Sequence, residues 1–123
     1  MPQGARGESI VTVGEGEYRI LFTNRALAEA EKAIGKSTVA IARDAQQLDI
    51  SLSDLAVLLR VGMEASRRDM GNHGRSVLST DAFDLMDVAG FTKCATAVIE
   101  ALAAVLSYDP DDEGGDAEAN PPA

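Results

Sequence analysis

The sequence predicts an α+β fold that is mainly α: an N-terminal β-hairpin, about five short helices in a compact bundle, and a disordered acidic C-terminal tail. Three observations carry that reading. Two runs rich in β-branched and aromatic residues, 8–13 and 17–22, flank Gly14-Glu15-Gly16. Apolar residues then recur at helical spacing in segments bracketed by capping residues and glycines. Residues 109–123 hold six acids and no base, in a Gly- and Pro-containing run that cannot bury a core.

The chain has 123 residues, enough for one domain, and its apolar content rests on Ala, Leu, Val and Ile, with no Trp. Residues 1–7 are polar and Gly-rich and are expected to be flexible; 8–108 form the single globular domain. In the hairpin, 8–22, glycines supply the positive φ a tight turn needs. Val11 and Val13 alternate onto one face, as do Tyr18, Ile20 and Phe22. A lone hairpin is marginal in water, so it must lie on helices or pair with another chain. Its exposed edge, carried by Ile10, Thr12, Arg19 and Leu21, is a candidate assembly surface.

Helices are expected over about 24–34, 37–47, 52–66, 80–89 and 91–107. Thr23 or Asn24 caps the first, and Gly35 stops it. Ser37 caps the second. Ser51 with Asp54 forms a capping box for the third, whose stripe is Leu55, Leu58, Leu59 and Met63. Thr80 caps the fourth and Gly90 breaks it. The fifth presents Val98, Ile99, Leu102, Val105 and Leu106. The residues of these stripes expected to meet a partner are Leu55, Leu58, Leu59, Met63, Val98, Leu102 and Val105.

Composition narrows the function. The net charge is −9, of which residues 1–108, with eleven bases against fourteen acids, carry −3. Nothing here favours nucleic acid, whose binding needs clustered Lys and Arg. No apolar run approaches the roughly 18 residues of a membrane span, and the N-terminus lacks the apolar segment of a signal peptide. A cytoplasmic protein follows. Cys94 is the only cysteine and His73 the only histidine, so neither a disulfide nor a one-chain zinc site is expected, and Cys94 reads as a small buried residue.

Several motifs bring chemistry to mind and are explained more simply. Asp109, Asp111, Glu113 and Gly114 fit the first half of a calcium loop, but position twelve is Asn120 and no exiting helix follows. Ser51 after Asp49-Ile50 resembles the prosthetic-arm serine of acyl carrier proteins, with Ile50 interposed; a helix cap explains it. Arg67, Arg68, His73 and Arg75 with Gly71 and Gly74 could cradle an anion, without a Walker or dinucleotide fingerprint. No catalytic triad, cofactor site or metal site is expected.

The order of features is similar to that of small tail-assembly-chaperone-like proteins of gene transfer agents and long-tailed phages. The resemblance rests on Arg6-Gly7-Glu8 leading into the hairpin, Tyr18-Arg19-Ile20-Leu21-Phe22, the run from Ala26 to Glu31 and Ile34-Gly35-Lys36-Ser37. The segment Leu52–Leu59 with Gly62 and the Ala-rich helix after Gly90 extend it over residues 6–107. It implies a non-enzymatic protein of the bacterial host cytoplasm, a chaperone binding the tape-measure protein or other tail proteins during tail morphogenesis, or further copies of itself. The alternative, ranked second, is a structural tail tube protein polymerising through its hairpin. A small carrier or ligand-binding module is the third alternative.

Overall fold

The computed structural model describes residues 6–71, 74–109 and 111. The chain forms a two-stranded antiparallel hairpin, β1 (Gly7–Val13) and β2 (Gly16–Phe22), followed by five helices: α1 (Asn24–Ile34), α2 (Thr38–Gln46), α3 (Leu52–Asp69), α4 (Ser79–Ala89) and α5 (Phe91–Leu106). The architecture is therefore the mainly helical α+β fold expected. The acidic tail expected over 109–123 falls, except for Asp109 and Asp111, outside the described residues.

The hairpin turns on Gly14 and Glu15, and only Gly14 has positive φ, 58°. Glycine at the first central position is what a type II′ turn demands, and that turn matches the twist of the flanking strands. Register pairs Gly7 with Phe22, Ser9 with Ile20 and Val11 with Tyr18 on one face, and Glu8 with Leu21, Ile10 with Arg19 and Thr12 with Glu17 on the other. On the first face Val11, Ile20 and Phe22 are buried, whereas Tyr18, expected to join them, is 41% exposed.

Two helices close on this face. α5 runs alongside β1 and α3 packs on β2. Both approach so tightly that glycine is required at the contact. A Cβ on Gly7 would overlap the Ala101 carbonyl oxygen and sit 2.8 Å from Val105 Cγ2. A Cβ on Gly62 would sit 2.5 Å from Ile20 Cγ2 and 3.2 Å from Phe22 Cε1. Ser9 Oγ donates to the Ala97 carbonyl at 2.6 Å, fixing strand and helix in one register. The expectation of a flexible 1–7 thus fails at Arg6 and Gly7: Gly7 is buried in β1, and Arg6 pairs with Asp69 at 2.9 Å.

The helix starts follow local chemistry. Thr23, Ser37 and Ser51 each accept from an exposed backbone amide three residues on, at 3.0–3.2 Å. Glu31 adds a bond across the α1–α2 corner by accepting from the Thr38 amide at 2.7 Å and its hydroxyl at 2.8 Å. α3 continues three residues past the expected end at 66, because Arg67 and Arg68 turn back onto Glu64. α4 starts at Ser79, not under a Thr80 cap; Leu78 occupies the N-cap, and Asp81 accepts from its amide at 2.8 Å. Gly90 joins α4 to α5 at φ 92°, ψ 153°, a conformation open essentially to glycine alone, and the helices bend there by 116°.

The end of α2 is strained. Leu48 donates to the Ala45 carbonyl and Asp49 to that of Asp44, the paired bonds of a Schellman close. The left-handed residue, φ 55°, is Leu48 rather than glycine, and its side chain is 52% exposed.

Two outcomes follow for thermal or urea unfolding. Gly7→Ala and Gly62→Ala each lower stability by about 1–3 kcal/mol, since neither interface can accept a methyl without separating. Leu48→Gly raises it by about 1 kcal/mol, by relieving a left-handed leucine that buries little.

Candidate interaction surfaces

Most of the apolar side chains expected to meet a partner are core. Leu21, Leu55, Leu58, Leu59, Val98 and Leu102 are buried against the hairpin and neighbouring helices. Helical periodicity reports which face is apolar, not what covers it, and here the same chain covers it. Met63 and Val105 are half-buried at the margin of that core. Of the hairpin residues, Ile10 and Thr12 are exposed on β1, but Arg19 is held by Glu8 at 2.6 Å, Asp69 at 3.2 Å and Ser66 at 3.3 Å. The β2 half of the expected edge is therefore engaged by the C-terminal turn of α3, and the β1 half is the outward one.

An exposed groove with apolar lining lies where β2, α3 and α4 meet, with a volume of about 390 Å³. Tyr18 enters from the hairpin, Met63 from α3, Val77 from the loop before α4, and Leu85 and Val88 from α4 itself. Asp81 and Asp84 supply its charged lining. Val88 is 64% exposed and extends the apolar lining of the groove into solvent.

Two carboxylates shape this groove by fastening the loop that forms its wall. Glu64, buried on α3, accepts from Arg67 at 2.6 and 2.9 Å and from the Val77 amide at 2.9 Å, and forms an ion pair with Arg68 at 3.1 Å. Hydrogen bonds from Arg67 hold its carboxyl down at about 2, against the upward push of burial. Asp81 accepts from Arg75 at 2.8 and 2.9 Å and from the Leu78 amide; the Arg75 bonds hold it at about 2 as well. The arginines read as an anion cradle are thus matched by carboxylates of the same chain, and His73 lies outside the described residues. Glu64 was missed in the sequence, though arginines three and four residues after a glutamate on a helix were its signal.

A second concavity, about 700 Å³, lies beside the outer edge of β1, between Ile10 and the N-terminal half of α5. Lys93 from α5 reaches over this edge and donates to the Thr12 carbonyl at 2.6 Å.

The remaining candidates take structural places. Ser51 is the α3 cap. Cys94 is fully buried, and burial pushes its thiol up. Among the described residues no group of three or more His, Cys, Asp or Glu is placed to hold a metal ion, and no single helix is long and apolar enough to cross a membrane. No family model matches the chain, and no curated protein or solved structure matches it.

Both carboxylates are depressed, so their stabilisation is complete above the unfolded values, 4.5 for Glu64 and 3.8 for Asp81, and is lost as pH falls toward about 2. The Val77 and Leu78 amides, which donate to them, should lose hydrogen-exchange protection across that window once corrected for intrinsic rates. In Glu64→Gln, Val77 should be weakly protected already at neutral pH. Acid-insensitive protection in the parent chain would mean the carboxylates do not hold the loop.

Proposed function

We propose that this chain is a non-enzymatic interaction protein of phage-type tail assembly, a chaperone that holds the tape-measure protein in the cytoplasm of the bacterial host while tail subunits assemble. The groove between β2, α3 and α4 is the observation that carries the reading. Apart from Asp81 and Asp84 its lining is apolar, drawn from β2, α3, α4 and the loop before α4, and a concave apolar strip of this kind takes the apolar stripe of a helix as i, i+3, i+4 anchors. A tape-measure protein is a long helical chain with such stripes, and the order of features from Arg6 to Ser107 resembles the chaperone-like family. Met63 is the one residue of the α3 stripe that lines the groove, and Tyr18 contributes a rigid amphipathic ring of the kind favoured at binding surfaces.

Co-expression with tape-measure segments tests this directly. The parent chain should yield a soluble complex with a segment that is insoluble alone. Met63→Glu and Val88→Asp, each placing a charge against the client, should cut recovery about tenfold or more while leaving the circular dichroism spectrum unchanged. Failure of the parent chain to form any complex, or full recovery with both variants, would contradict the assignment.

A further inference from the structure

We propose that the outer edge of β1 and the adjoining face of α5 bind a second copy of this chain, giving a closed two-fold pair with a continuous four-stranded sheet. This surface shares no lining residue with the client groove, and the proposal does not depend on that reading.

In a two-residue hairpin the closing pair, Val13 and Gly16, exchanges hydrogen bonds, and alternation along the ladder then directs the N–H and C=O of Glu8, Ile10 and Thr12 outward. The Thr12 carbonyl accordingly meets Lys93 instead of a strand. A long ammonium side chain laid over an unpaired edge is a recognised way of covering it. Ile10, at the centre of the edge, is 52% exposed.

The α5 face beside that edge is self-complementary. Gly7 lies against Ala101, Ser9 bonds Ala97 and Thr12 meets Lys93, so strand and helix run antiparallel, with Ile10 beside the level of Thr96. A two-fold axis through Ile10 pairs Ile10 with its counterpart and Glu8 with Thr12 of the other copy. On α5, Lys93 and Glu100 lie three residues before and four after Thr96, and both line the concavity. The same axis sets Lys93 of each copy against Glu100 of the other. Between them the lining is Thr96 and Ala97, small residues that let two helices approach closely, while Phe91 lines the concavity beyond Lys93.

Pairing leaves no backbone group stranded. The Thr12 carbonyl exchanges the Lys93 ammonium for the Glu8 amide of the second copy, and Lys93 moves to Glu100 across the interface. Assembly stops at two, because the outer side of β2 is engaged by α3 through Arg19 and its partners.

Analytical ultracentrifugation of the full chain from micromolar to millimolar concentration tests the proposal. The parent chain should dimerise. Lys93→Glu and Glu100→Lys, each producing two like-charge contacts, should weaken the dimer about tenfold or more, and the K93E/E100K exchange should restore it. Ile10→Arg should give monomer whose melting temperature matches that of the parent chain at concentrations too low for pairing. A parent chain that stays monomeric throughout, or a double variant no better than either single one, would overturn the proposal.

Discussion

Everything in this fold depends on seating a two-stranded hairpin against two helices at near-contact distance. A hairpin of seven residues per strand cannot bury its own apolar face, and Val11, Ile20 and Phe22 need a roof. α5 supplies it along β1 and α3 across β2, and Gly7 and Gly62 are where the backbones or side chains would otherwise collide. Once those two contacts form, the remaining helices have fixed neighbours: α1 and α4 pack on α3, and α2 on α5. The core is correspondingly rich in Ala, whose small volume suits close approach of helices, filled out by Leu, Val and Ile.

Surface chemistry then follows from which edges that seating leaves open. The far end of α3 reaches round β2, where Asp69 gathers Arg6 and Arg19, and so one strand edge is sealed. The other edge is left with Ile10 outward and Lys93 laid over Thr12. On the opposite flank Glu64 draws the loop after α3 back onto the helix by way of Val77, and this loop becomes one wall of an apolar groove. Electrostatics therefore positions a surface whose contacts are apolar, a division of labour common at recognition sites.

Much of this was legible in the sequence, because the signals were local. Gly14 in its turn, the caps at Thr23, Ser37 and Ser51, and Gly35 and Gly90 after their helices are rules of backbone hydrogen bonding and φ, and the elements fall where those rules place them. What the sequence could not assign was the partner of each apolar stripe. Leu55, Leu58 and Leu59 look the same whether they meet a client or the rest of their own chain, and here they are buried in the core. Leu21 and Tyr18 changed places relative to simple strand alternation, since the turn of α3 covers the outer face at one end and leaves the inner face open at the other. Leu48, a left-handed leucine, has no sequence signal at all, since glycine is the residue expected there.

The central claim is that the groove lined by Tyr18, Met63 and Val88 is where a helical client binds. Hydrogen exchange of this chain with and without a tape-measure segment tests it most directly. Client binding in the groove should add protection in the loop around Val77, in the exposed half of α4 and in β2 near Tyr18, with the core amides of α5 unchanged. Protection confined to other surfaces, with α4 and the Val77 loop exchanging as in the free chain, would contradict it.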